Sequence, residues 1–275
     1  MSLQLEPAVC LSLRDLADLL NRSFAEYFVP VSFTPASFAT GLRLNGQDLN
    51  FSQVVMKEGR GVGLALLSRR GWTSRLAAMA ILPGERNAGI GQWLMGRLVE
   101  QARQRGDRYL TLEVIEENAP AVHLYKRAGF TIDRRLVGYR CEEPVGNPSN
   151  RIEEVDVREV AQVLLKFGPP DLPWQLSGET IAQLGPPVRG HRWRDAFGVI
   201  EKGDQGIKLL SLVVLPHSRR SGQASSFLQG LFAHYPNQPW KIAAQFPEEI
   251  APGLFEKLGF VQDSIRQYQM TLALG

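Results

Sequence analysis

The sequence predicts a mixed α/β (α+β) protein built as two tandem copies of one fold, residues 1–145 and 150–275. Three observations predict it. Short runs with strand-like alternation lie beside segments whose apolar residues recur at helical spacing. A polar stretch rich in Pro, Gly, Asn and Ser, Glu142–Arg151, divides the chain. Two blocks of the first half return in the second: Ile81–Gly91 lies over Val214–Ala224 at an offset of 133, and Leu124–Phe130 over Leu254–Phe260 at 130. The length of 275 residues agrees with two domains of about 150 residues each.

In the first half, Leu13, Leu16, Leu19, Leu20 and Phe24 mark an amphipathic helix over Leu13–Tyr27. Thr34 as N-cap and Pro35 in the first turn start a shorter helix to Leu42. Phe51–Met56, Gly61–Ser68 and Arg75–Leu82 read as strands joined by the turns at 58–61 and 69–71. Ile90, Trp93, Leu94, Leu98 and Ala102 give a helix over Ile90–Gln104. Tyr109–Ile115 alternates and reads as a strand. Ala119–Ala128 is a helix stopped by Gly129, with Phe130–Ile132 and Leu136–Cys141 as closing strands. The second half repeats the order: helices Val157–Phe167 and Gly178–Leu184, strands Arg192–Glu201 and Ile207–Leu215, helix Ser221–Tyr235, strand Trp240–Phe246, helix Ile250–Leu258 and a final strand Ile265–Leu274.

Lys and Arg total 31 against 28 Asp and Glu, a net charge of +3. The arginine clusters, Arg134-Arg135 and Arg219-Arg220, are too short for a nucleic-acid stripe. A small positive excess suits an anionic small ligand. Cys10 and Cys141 lie far apart without metal-ligand spacing, so reduced thiols are expected and no metal. The first residues lack a basic segment followed by an apolar one, and no run reaches about 18 apolar residues. The expectation is a cytoplasmic chain with neither a membrane nor a nucleic-acid partner.

The chemistry concentrates after the third strand. Ile81-Leu82-Pro83 ends it, the turn Arg86-Asn87-Ala88-Gly89-Ile90-Gly91 follows, and a helix starts at once. Glycines turn amide groups inward, and a helix N-terminus adds unpaired donors and partial positive charge. The result is an anion nest of phosphate size. A dinucleotide fold needs a small residue where Leu94 stands, and a P-loop needs Gly-Lys-Ser/Thr, which is absent.

This turn, after Ile81-Leu82-Pro83, resembles the coenzyme A pyrophosphate loop of the GCN5-related N-acetyltransferases (GNAT). A second run, Leu112-Glu113-Val114, Asn118, Ala121, Leu124-Tyr125 and Gly129-Phe130, is similar to the subgroup that acetylates protein N-terminal amines and also to small-amine acetyltransferases. The resemblance covers most of residues 1–145, and the order of elements matches. It implies two acyl-CoA N-acyltransferase folds with acetyl-CoA as cosubstrate. Ile81, with Leu82 and Pro83, would bind the pantetheine arm. The amides of Arg86, Asn87, Ala88, Gly89, Ile90, Gly91 and Gln92 would hold the pyrophosphate. Asn118 would contact pantetheine, Tyr125 would protonate the leaving thiolate, and Glu113 would be the general base, directly or through water. The acceptor would be a primary amine on a small molecule or peptide, acetylated directly in a ternary complex, with Tyr27, Phe28, Phe33 and Phe38 as an aromatic wall. Read from the residues alone, Tyr125 is also a buried aromatic, Glu113 an outward strand residue and Asn118 a plain helix cap.

The second copy keeps the loop pattern in Arg219–Ala224 and loses the rest. Tyr125 falls on Phe255, Glu113 on Ala243 and Asn118 on Glu248, so this copy reads as degenerate. Two other readings stay open: a small-molecule acyltransferase resembling mycothiol synthase, whose active copy is the second, and a non-catalytic acyl-CoA-binding protein.

Overall fold

The computed structural model describes residues 3–275. In chain order the elements are β1 (Leu3–Pro7), α1 (Leu13–Ser23), α2 (Pro35–Leu44), β2 (Gln53–Lys57), β3 (Arg60–Arg70), β4 (Thr73–Ile81), α3 (Ile90–Gln104), β5 (Tyr109–Ile115), α4 (Ala119–Arg127) and β6 (Thr131–Cys141). Then come β7 (Glu153–Val155), α5 (Val157–Phe167), α6 (Gly178–Ile181), β8 (Val188–Trp193), β9 (Ala196–Gly203), β10 (Gly206–Val214), α7 (Gln223–His234), β11 (Trp240–Pro247) and β12 (Val261–Ala273). They form two compact units.

The first unit takes the described chain up to Val114, with Asn118–Asp133 and Gln269–Gly275. Its strands run β1-β2-β3-β4-β5, followed by the end of β12 and the start of β6. Neighbours from β1 to β4 are antiparallel, and β4 and β5 are parallel. Ser12 caps α1, its Oγ accepting from the Asp15 amide at 3.1 Å, and Thr34 and Ser37 close a capping box on α2. The two helices bury Leu16, Leu20, Phe38 and Leu42 against Val54, Leu64 and Leu66. α3 buries Leu94, Met95, Leu98 and Ala102.

The second unit holds Ile115–Glu117 and Arg134–Tyr268. Its strands run β12-β6-β11-β10-β9-β8-β7. Trp240, Phe227, Phe232, Phe255 and Phe260 form its largest core. The stretch between β6 and β7 is a loop, as its composition predicts. It is pinned along α7: the Asn147 amide donates to Gln229 O at 2.8 Å and Asn150 Nδ2 to Ser226 O at 2.8 Å.

The compact units are not the sequence halves 1–145 and 150–275. Most of β6 lies beside β11 in the second unit, and the chain's last residues lie in the first, where the Leu274 amide donates to Arg108 O at 2.9 Å. The two closing strands expected at 130–141 are one strand, because Arg135 in its middle is neutralised by Glu116 at 2.9 Å. The strand expected over Arg192–Glu201 is a hairpin, β8 and β9, turned at Arg194 with φ 51° rather than at a glycine. The helix expected at Ile250–Leu258 is reduced to a 3₁₀ turn at Glu256–Leu258, since Ala251 and Gly253 take left-handed φ values of 52° and 73°. α1 stops at Ser23, short of Tyr27, and α6 is one turn.

One buried charge fixes the β3, β4 and α3 ends. Asp107 is 3% exposed and accepts from Ser74 Oγ at 2.6 Å, Arg69 Nε at 2.7 Å and Arg105 Nη2 at 2.9 Å. Burial pushes its pKa up, but the Ser74 hydroxyl and the two guanidiniums outweigh it and hold the carboxyl below its ordinary value. A depressed folded-state pKa contributes stability present above the unfolded value, near 4, and lost as pH falls through the folded one. Asp107→Ala should therefore cost about 3 kcal/mol at pH 7 in urea unfolding, and less at pH 3. Equal stability of variant and wild type at pH 7 would contradict this role.

Candidate functional site

β4 and β5 pair only from Thr73↔Tyr109 to Leu76↔Leu112, although β4 runs on to Ile81 and β5 to Ile115. On its other side β4 shifts register against β3, Leu66↔Ala78 following Leu67↔Leu76, so that Ala77 is an extra residue where the ladder to β5 stops. A bulge bends its strand and turns it away from a neighbour. Beyond Leu76 the strands part, and backbone groups along the opening lack ladder partners, a cost unless something pairs with them.

The expected nest closes one end of this opening. A 3₁₀ turn covers Pro83–Glu85, then Asn87 and Gly89 take φ 63° and 76°. Asn tolerates this region better than most side chains, and Gly freely. The first helical bond of α3 runs from the Trp93 amide to Gly89 O at 3.0 Å. The amides of Ile90, Gly91 and Gln92 precede it and have no intrahelical acceptor. Gly91 sits close over the opening, since a Cβ there would lie 3.6 Å from Leu124 and 3.8 Å from Met79.

Three of the expected contacts are already taken. The Leu82 amide donates to Val62 O at 2.9 Å, and the Arg86 amide to Pro83 O at 3.3 Å. The Arg86 side chain turns back as a brace, Nε on Ile81 O at 3.2 Å and Nη2 on Ser23 O at 2.8 Å. It ties the end of α1 to the end of β4 and brings its charge beside the nest.

Asn118 caps α4, its Oδ1 accepting from the Ala121 amide at 3.3 Å. Tyr125, on α4, is 8% exposed, with its ring centroid 5.9 Å from that of Phe130. Burial, with Tyr27 adding to it, pushes the Tyr125 phenol above its ordinary range, so it stays protonated and is a donor, not a base. Sequence reasoning gave Tyr27 to the aromatic wall; in the structure its ring packs edge-on against Phe24 and Phe28, 4.7 Å and 5.5 Å between centroids, and burial raises the pKa of its phenol. It lies on the α1–α2 connection, which Asn21 fixes by holding Phe33 N at 2.8 Å and Phe33 O at 2.9 Å. The wall itself divides: Phe38 is core at 2% exposure, while Phe28 is 49% exposed.

Glu113 is not a free base. It lies on β5 in a buried ion pair, accepting from Arg75 Nη2 at 2.6 Å and Nε at 2.8 Å, with both side chains 6% exposed.

The second unit keeps the scaffold. β10 and β11 pair only at Ile207↔Trp240 and Lys208↔Lys241, and β10 carries its own register shift at Leu210, 133 residues after Ala77. Arg220 and Gly222 take φ 60° and 81°, and Arg219 braces Val214 O at 3.0 Å and also Phe167 O. The opening is largely apolar, lined by Leu209–Val213, Ile242 and Phe246. Phe255 is core at 1% exposure, and Glu248 is paired with Arg135 at 3.5 Å. Among the described residues no helix is long and apolar enough to cross a membrane, and no His/Cys/Asp/Glu group is arranged to hold a metal.

Comparisons with known proteins follow this geometry. Residues 13–130 match the model of the acetyltransferase (GNAT) family. The chain is 43% identical over 75 residues to streptothricin acetyltransferase of Streptomyces lavendulae, covering 26% of this chain and 40% of that protein. It is 31% identical over 119 residues to the ribosomal protein bS18 alanine N-acetyltransferase of Haemophilus influenzae, covering 43% of this chain and 79% of that protein. Among solved structures, a GCN5-related N-acetyltransferase from Sphaerobacter thermophilus aligns over 99% of this chain and 96% of its own, with a TM-score of 0.72 and 15% identity. A tandem GNAT protein from the clavulanic acid biosynthesis pathway aligns over 100% and 99%, with a TM-score of 0.70 and 16% identity. At these identities the structural likeness establishes the fold, two GNAT-like copies.

Arg75→Met leaves the Glu113 carboxylate buried without its partner. It should lose about 3 kcal/mol in urea unfolding, while the double variant with Glu113→Leu recovers most of it. Unchanged stability in Arg75→Met would show a carboxylate that does not need the guanidinium.

Proposed function

Since the chain belongs to the GNAT family of acetyltransferases, we propose that it moves the acetyl group of acetyl-CoA to a primary amine, with the chemistry in the first unit. The observation that carries this reading is the opening between β4 and β5, with three unpaired amides at one end and a buried, protonated Tyr125 on the helix beside it. Acetyl-CoA supplies the acyl group as a thioester and departs as a thiolate.

Ile90, Gly91 and Gln92 would hold the pyrophosphate through their amides, strengthened by the α3 dipole and the Arg86 charge. Backbone of β4 beyond Leu76 would pair with the amides of the pantetheine arm, and a free N–H along it would stabilise the developing oxyanion. Asn118, already capping α4, would orient the arm with its remaining valence. Tyr125 holds its proton at any physiological pH and would give it to the thiolate, a general-acid role. No covalent enzyme intermediate is required, because the amine attacks the thioester carbonyl directly in a ternary complex. The amine must shed a proton first. An α-amine near pKa 8 is partly neutral at pH 7–8 without help, whereas a lysine near 10.4 needs a base. With Glu113 committed to Arg75, the arrangement favours an acceptor of low amine pKa.

The acceptor is an amine on a small molecule or a peptide. The two relatives differ on this point, one acting on streptothricin and the other on the alanine of bS18. The higher local identity favours the small molecule, 43% against 31%.

The test follows free thiol release from acetyl-CoA over a panel of amines. Tyr125→Phe should lower kcat about 100-fold with little change in the acetyl-CoA KM. Arg220→Ala, in the second copy's loop, should leave both unchanged. Absence of turnover with every amine, together with absence of coenzyme binding, overturns the proposal. Coenzyme binding without turnover favours a pure binder.

A further inference from the structure

A second pocket of the first unit lies away from the β4–β5 opening, between α3 and the face of β1 and β2. Trp93, Arg97 and Gln101 stand at i, i+4 and i+8, one stripe of α3. Across from them lie Gln53 and, from β1, Leu3, Gln4, Leu5 and Pro7, and together they line an open pocket of about 570 Å³. That is within the range of small-molecule sites.

The lining is polar where an edge of a core would be apolar. Gln53 is 6% exposed; its Nε2 reaches only Phe51 O at 3.3 Å, and its Oε1 accepts nothing among the described residues. Gln101 Oε1 is buried and has no hydrogen-bond partner. Two amide oxygens without protein donors line one pocket; Gln101 Oε1 is the buried one, and a buried acceptor left unmade costs about 1–3 kcal/mol. No carboxylate lines the site, which disfavours a cationic ligand. The one cation, Arg97, is paired with Glu100 at 2.7 Å, which disfavours an anion. Hydrocarbon would leave both oxygens unsatisfied. What remains is a neutral molecule rich in donors, with an indole to pack on.

We propose that this pocket binds a neutral polyhydroxylated small molecule, a free sugar or polyol, whose hydroxyls donate to Gln53 and Gln101 and whose carbon face packs on Trp93. The site shares no side chain with the acetyl-transfer machinery, and its occupancy is independent of the reading above.

The test titrates the full chain with glucose, N-acetylglucosamine and myo-inositol, followed by saturation-transfer NMR and tryptophan fluorescence. At least one should bind saturably in the millimolar range or tighter. Gln101→Leu, which keeps volume and removes the acceptor, should weaken that binding at least tenfold while thermal stability and coenzyme binding persist. If that variant does not fold, Gln53→Met tests the other acceptor and should show the same loss. No saturable binding of any of the three, or equal affinity in the folded variant, overturns the proposal.

Discussion

The parting of β4 from β5 is the constraint on which the rest of the first unit depends. A parallel pair that kept its ladder would satisfy its own backbone and offer nothing to a ligand. Here the extra residue at Ala77 bends β4 immediately after the last paired residue, Leu76. Everything else supports that opening. Gly63 lets β3 come close, since a Cβ there would run into Ile81 Cδ1 and lie 2.9 Å from Ala80 O. Arg86 ties the end of β4 to α1, and Asp107 locks the opposite end of β3 and β4. The site is thus held rigid at both ends and left open between.

Duplication explains the second unit better than any activity does. The bulge, the left-handed pair in the loop and the bracing arginine all recur, which are properties of backbone and scaffold. The positions that would do chemistry have been converted to packing: Phe255 sits against Tyr139, 5.0 Å between ring centroids, and against Phe246 at 5.1 Å. The long strands β6 and β12 are each divided between the compact units.

Much of this was legible in the sequence, because it rests on local rules. Caps at Thr34 and Asn118, the Gly89 turn and the repeat offsets all announce themselves in short windows. What was not legible depends on pairing between distant segments. Glu113 looks like a base until β4 places Arg75 two residues from its cross-strand level, since Arg75 pairs with Thr111. The bracing role of the Arg86 side chain gives no sign in the sequence, because its partner Ser23 lies 63 positions away. The β8–β9 turn was missed because an arginine, not a glycine, takes the positive φ.

The most direct test of the central claim is a coenzyme A titration of ¹⁵N-labelled protein, read by amide chemical shifts. The account predicts the largest changes at 78–81, at 87–92 and around 118–125, with 220–225 unmoved. Shifts confined to the region of Arg220 and Gly222, with Ile90–Gln92 silent, would contradict it.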